Sequence, residues 1–183
     1  MIYAIAAFLG LATVVIGRHA FRIGAALNVL DYPDPIGGRK RHMRVTPLVG
    51  GIATLSPTLL TGLIWLFWAD ILAPPHYIML ATVIAATALL LLLGYLDDRL
   101  HLAPTARLLA TMIIFGLAAA ATPGLRLDFL HFSFMPHAFF IDAWGGIFTV
   151  ICLTGLSNAV NMADGKNGLV IGLSLVWLAL LAL

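Results

Sequence analysis

The chain is 183 residues long, 62% hydrophobic and only 10% charged. A soluble domain carries about 25% charged residues, so this composition excludes a water-soluble globule and marks an integral membrane protein. The net charge of +2 says little by itself and gives no ground for a nucleic-acid partner, and the single cysteine, Cys152, excludes an internal disulfide.

Six apolar stretches follow one another: Met1–Gly17, Leu48–Trp68, Tyr77–Leu96, Leu108–Ala121, Ala143–Leu156 and Leu169–Leu183. Each reads as a transmembrane helix or part of one. The predicted fold class is all-α: a polytopic membrane helix bundle of about six spans, forming one membrane domain over residues 1–183. The first stretch lacks a basic segment before it and carries Arg18 and Arg22 after it, unlike a cleavable signal peptide. Between the fourth and fifth stretches, polar Arg126 and Asp128 alternate with apolar Leu127 and Phe129, the pattern of a hairpin at the membrane surface. His131 and His137 in the same loop lack carboxylate or thiol partners and read more readily as interfacial side chains than as a zinc site. The sixth stretch is roughly 22 Å long at about 1.5 Å per residue, short of a hydrocarbon core about 30 Å thick. We expect that helix to be cut at Leu183, and the chain to be the N-terminal part of a larger protein.

Alternation of the loops assigns Arg18, Arg22, Arg39, Lys40, Arg41, Arg44, Arg99, Arg107 and Lys166 to one side and only Arg126 to the other. That asymmetry makes the first side cytoplasmic and puts the N-terminus outside. Trp65, Trp68, Tyr77 and Trp144 then fall at the outer interface, as an aromatic belt would.

The third stretch ends on two adjacent acids, Asp97 and Asp98, with no charge between His76 and the pair. Tyr77–Leu96 is roughly 30 Å long as a helix, enough to cross a bilayer, so the acids emerge at a membrane surface. Adjacent carboxylates repel by about 4 kcal/mol at about 4 Å and an effective dielectric near 20. A raised pKa, a cation, or solvation with the side chains splayed apart would each offset that; a divalent metal is the option that makes chemistry.

Two further constellations share the cytoplasmic face. One runs from Asp31-Tyr-Pro33-Asp34 through Arg39-Lys40-Arg41-His42 to Pro47-Leu-Val-Gly-Gly51; the other is Asn158-Ala-Val-Asn161-Met-Ala-Asp164-Gly165-Lys166-Asn167-Gly168-Leu169. Each has a plain reading. The basic cluster sets topology and meets anionic lipid heads, the acids could be a solvated helix end, and the amides could cap or pack a helix. Asn158 and Asn161 share one face of a helix, and amides beside an apolar span are costly unless paired. Taken together, Asp97, Asp98, Asp164, Asn158, Asn161 and Asn167 form a hard-oxygen set suited to Mg²⁺, or Mn²⁺ in its place. Arg39, Lys40 and His42 supply donors for phosphate oxygens. Acids for metal, bases for phosphate and a membrane surface suggest phosphoryl transfer to or from a lipid.

On Asp31-x-Pro33, Arg39-Lys40-Arg41-His42 with Pro47–Gly51, Gly94-x-x-Asp97-Asp98 and Asn158-x-x-Asn161-x-x-Asp164-Gly165-x-x-Gly168-Leu169, the chain resembles the polyprenyl-phosphate N-acetylhexosamine 1-phosphate transferases, over about the first half of a member. The resemblance implies transfer of a sugar 1-phosphate from a UDP-N-acetylhexosamine, UDP-N-acetylglucosamine first among them, to undecaprenyl phosphate at the cytoplasmic face of the bacterial inner membrane, with release of UMP, for envelope polysaccharide synthesis. It implies Asp97 and Asp98 as catalytic residues, with Asp97, Asn161 and Asp164 on Mg²⁺. Arg39, Lys40, His42, Asn158 and Asn167 would contact substrate. Asn167 stands where many bacterial members have Asp. Members continue through further spans that carry a later metal-binding aspartate and a loop with His and Arg. The alternative is a truncated copy without catalysis that binds polyprenyl phosphate or a full-length partner. A transporter or channel is disfavoured because mid-span positions are apolar and the acids stand at span ends.

Overall fold

A computed structural model describes residues 2–33, 44–68, 74–163 and 169–181. Among these the chain is all-α, with α1 (Ile2–Arg18), α2 (Ala20–Leu27), α3 (Gly50–Trp68), α4 (Pro74–Leu100), α5 (Pro104–Ala121), α6 (Gly145–Ala163) and α7 (Leu169–Leu181). Two antiparallel ribbons of two residues per strand interrupt them: β1 (Leu30–Asp31) with β2 (Thr46–Pro47), and β3 (Phe129–Leu130) with β4 (Phe139–Phe140). Four helices, α3 to α6, are long and apolar enough to cross a bilayer; α1 and α2 together make a fifth candidate, bent by 68°, and α7 holds a shorter apolar helix, Val170–Leu180. Large side chains along these helices, such as Leu60, Phe67, Leu92, Ile113, Leu156 and Trp177, point outward. That is the expected surface of helices solvated by lipid, whose backbone polar groups are all satisfied within the helix.

The predicted stretches coincide with helices, and some of the helices overrun them. The third runs through Asp97 and Asp98 to Leu100, and the fifth continues past Leu156 to carry Asn158 and Asn161. Polar residues end an apolar run without ending a helix. The hairpin expected in the outer loop is the β3–β4 ribbon, with Phe129 and Phe140 paired at 6.2 Å between ring centroids. The described residues divide into two compact units, Met1–Arg107 and Leu108–Leu183.

In the first unit, α1 breaks where His19 leaves the helical track and its ring Nδ1 reaches back to Val15 O at 2.9 Å. The next helix, α2, ends with Asn28 in the left-handed region at φ 56°. Val29 N–H donates to Gly24 O and Asn28 N–H to Ala25 O, which is the Schellman arrangement for closing a helix C-terminus. The chain then pairs β1 with β2, and Leu48 N–H donates to Val29 O at 2.9 Å. Val29, Val49 and Ala53 are buried there, with Val29 only 1% exposed. Gly24 lets the ribbon close onto α2: a Cβ at that position would lie 2.9 Å from Leu30 Cδ2 and 3.0 Å from Pro47 Cβ.

In the second unit a short 3-10 turn, Pro123–Leu125, leads from α5 to the hairpin. Arg126 Nε donates to Ala119 O at 2.8 Å, covering a carbonyl near the end of α5. Thr149, 2% exposed, ties the hairpin to α6: its hydroxyl accepts from Leu127 N–H and donates to Gly145 O, both at 2.7 Å.

Candidate functional site

The aspartate pair occupies the last turn of α4. His101 ends that helix in the left-handed conformation, φ 54°, with its N–H donating to Asp97 O at 2.8 Å. Leu102 and Ala103 connect that helix to α5, whose first turn is closed by Arg107 N–H on Ala103 O. Arg107 Nη1 donates to Asp97 Oδ2 at 2.7 Å, with the two side chains 31% and 20% exposed. Among the described residues, a guanidinium thus offsets the charge of Asp97. In the sequence Arg107 carries only a topology signal; the short connection between two apolar stretches is the clue to its partner.

Consecutive helical residues point about 100° apart, so Asp98 does not share this contact. It is exposed and lies at the mouth of a groove of about 170 Å³ between α3 and α4, lined by Leu48, Gly51, Ile52, Leu55, Leu90, Leu91, Gly94 and Tyr95. Asp31 of β1 lies within electrostatic range of Asp98, and Leu48 and Gly51 line the same groove, so the described ends of the first sequence constellation lie near the second. Tyr95 helps to fix that meeting: its hydroxyl donates to Leu27 O at 3.4 Å and accepts from Arg99 Nη1 at 3.0 Å. Gly51, in the first turn of α3, lines the same groove. The first N–H groups of a helix have no intrahelical acceptor and carry partial positive charge, which suits an anionic group beside an apolar wall.

Of the other residues singled out in the sequence, Asn158 and Asn161 lie exposed on the final turns of α6, in the second unit. Asn158 Nδ2 points at Met162 Sδ at 3.8 Å. Thr154, one turn earlier on the same face, is buried with a hydroxyl that has no hydrogen-bond partner among the described residues. Arg39, Lys40 and His42 lie outside the described residues, as do Arg41, Asp164 and Asn167. Among the described residues no three His, Cys, Asp or Glu side chains gather as a ready-made metal cage. Mg²⁺ does not require one, since it takes one or two carboxylates and fills its remaining positions with water and substrate phosphate. The exposed carboxylate of Asp98, with Asp97 adjacent, fits that requirement.

The chain is 31% identical over 157 residues to an undecaprenyl-phosphate alpha-N-acetylglucosaminyl 1-phosphate transferase of Yersinia pestis, covering 86% of this chain and 40% of the relative. It is 30% identical over 173 residues to a probable undecaprenyl-phosphate N-acetylglucosaminyl 1-phosphate transferase of Bacillus subtilis (strain 168), covering 93% and 43%. To the Escherichia coli (strain K12) transferase of the same name as that of Yersinia pestis it is 28% identical over 157 residues, covering 86% and 40%. The chain thus spans about two fifths of the length of these relatives. No solved structure matches it. The sequence profile of glycosyl transferase family 4 matches residues 80–183, a stretch that holds both the aspartate pair and the α6 amides, and the chain belongs to that family.

Proposed function

We propose that this protein takes part in transfer of N-acetylhexosamine 1-phosphate from a UDP-N-acetylhexosamine to a polyprenyl phosphate, with release of UMP, at the cytoplasmic face of a bacterial inner membrane. The observation that carries the reading is the placing of Asp98: an exposed carboxylate on an apolar groove between two membrane-spanning helices that is also lined by Gly51 of the first turn of α3. A polyprenyl phosphate has the same two parts, a hydrocarbon tail and an anionic head. The tail would lie along Leu55, Leu90 and Leu91, and the head would reach the amides at Gly50 and Gly51. Arg39, Lys40 and His42 would add donors from the loop between β1 and β2.

An oxygen of the acceptor phosphate attacks the sugar-linked phosphorus of the donor; the bond from that phosphorus to the oxygen bridging to UMP breaks, and UMP leaves with the electron pair. Asp98 orients the acceptor head and takes its proton if the head arrives protonated. Magnesium, held by the aspartate pair, would supply neutralisation of the diphosphate charge. The names of the relatives support undecaprenyl phosphate as the acceptor and N-acetylglucosamine 1-phosphate as the transferred group.

The test is UMP release by the product of the complete gene in proteoliposomes with undecaprenyl phosphate and UDP-N-acetylglucosamine. Asp98→Asn is expected to lower turnover at least about 100-fold, and chelation of Mg²⁺ to abolish it. Wild-type turnover in both Asp97→Asn and Asp98→Asn would sink the proposal.

A further inference from the structure

We infer that Arg107 is a positioning residue for the aspartate pair: by holding Asp97 against the first turn of α5, it assigns the two carboxylates different tasks and leaves Asp98 to face the groove. The inference rests on the reading of the groove given above and deepens it. Three features of the structure carry it. The Arg107–Asp97 contact is short, at 2.7 Å, and both side chains are more than two thirds covered, so it is a defined arrangement and not a solvated surface pair. The backbone on both sides is pinned, by His101 N–H on Asp97 O and by Arg107 N–H on Ala103 O, so the pairing is built into the turn. The angular separation of neighbouring residues on a helix then prevents Asp98 from following Asp97 towards Arg107, and the groove is what remains on its side.

The chemical consequence is a division of charge. Unopposed, two adjacent carboxylates would compete for any cation at the site and repel an incoming phosphate together. With Asp97 paired to Arg107, the pair presents a phosphate head with one uncompensated carboxylate, Asp98, instead of two. Arg107 also opposes rotation of Asp97 into the groove. A guanidinium suits this because it is always charged and can hold a carboxylate through a planar fork. An ion pair that merely ties α4 to α5 would stabilise the fold without any such effect on turnover.

The experiment uses the product of the complete gene in proteoliposomes, with kcat and KM measured separately for both substrates, and thermal unfolding of the same variants in EDTA as a readout free of metal and turnover. Arg107→Gln is expected to lower kcat about 10- to 100-fold while KM for the UDP-sugar stays within about threefold. Arg107→Lys, which keeps the charge, should recover at least a tenth of wild-type kcat. In the Asp97→Asn background, Arg107→Gln should cost no further kcat and little further unfolding temperature, because its partner is already gone. A lower unfolding temperature with wild-type kcat in Arg107→Gln would overturn the inference, as would multiplicative losses in the double variant. If Arg107→Gln fails to fold, the comparison of the double variant with Asp97→Asn decides alone, since neither leaves an unpaired carboxylate at that position. Wild-type turnover in Asp98→Asn would instead bring down the reading of the groove; an inactive Asp98→Asn beside a fully active Arg107→Gln removes only the positioning role.

Discussion

Gly94 lies one helical turn before Asp98, on the wall of the same groove, and a Cβ built there meets nothing within 4 Å. Two substitutions at this position separate the stability of α4 from the use of the groove. Gly94→Ala removes the conformational cost of glycine in a helix interior, about 0.5–1 kcal/mol, and occupies little of a 170 Å³ space. It should raise the thermal midpoint slightly and leave turnover within a few-fold of wild type. Gly94→Leu also meets no atom at its Cβ, so the helix tolerates it, but its branched end enters the groove. A cavity of about 150 Å³ accommodates a benzene-sized group, so the groove has room for roughly one isoprene unit or one leucine side chain, not both. In a bilayer the tail loses little hydrophobic energy on leaving the groove, because lipid is as apolar as leucine. The effect is therefore positional: displacing the acceptor head by about 1 Å costs about 100-fold in rate. The assay is UMP release at varied undecaprenyl phosphate, paired with thermal unfolding in detergent. Gly10→Leu in α1, where a Cβ also meets nothing, serves as the control for adding leucine to an apolar helix. Wild-type kcat/KM for the lipid in a stably folded Gly94→Leu would refute the assignment of the groove to the acceptor.

Gly24→Ala should have the opposite sign from Gly94→Ala: its Cβ would lie 2.9 Å from Leu30 Cδ2 and 3.0 Å from Pro47 Cβ, so overpacking of about 1–3 kcal/mol outweighs the gain in helix propensity, and thermal unfolding should fall. An unchanged or raised midpoint would show that the β1–β2 ribbon does not close on α2 as described. Thr149→Val keeps the shape of the side chain but leaves Leu127 N–H without its acceptor, at a cost of about 1–3 kcal/mol. Thermal unfolding reads the loss, hydrogen exchange at the Leu127 amide should speed up, and Thr149→Ser should restore both. Unaltered exchange at Leu127 in Thr149→Val would contradict the hydroxyl link between the hairpin and α6.

The helices were legible because hydrocarbon length and apolar runs impose them: a span must satisfy its own backbone, and only a helix does so within one segment. The ribbon between α5 and α6 was legible only in part, since the alternation at Arg126–Phe129 reaches β3 only at Phe129. The ends of the helices were not. Asp97, Asp98, Asn158 and Asn161 all lie inside helices whose apolar runs had already stopped, since hydropathy reports the solvent around a residue and not its backbone. The bend at His19, the small helix α2 and the β1–β2 ribbon also escaped notice, because eight residues of α2 are too few to show a clear period.

The sequence by itself determined that this chain lives in a membrane, where its apolar helices fall, and that the family's motifs stand at the ends of those helices. Covalent order and hydropathy are enough for that, because each helix is a local structure. Who meets whom was decided only by the tertiary structure. Asp97 and Asp98 are chemically identical neighbours in the sequence; the turn at His101–Ala103 returns Arg107 to one of them, and the packing of α3 on α4 places the groove beside the other. The same holds for the glycines: Gly24 is required by the leucine and proline packed against it, whereas Gly94 faces open space. Those distinctions depend on distances between residues far apart in the chain, which composition and spacing do not contain.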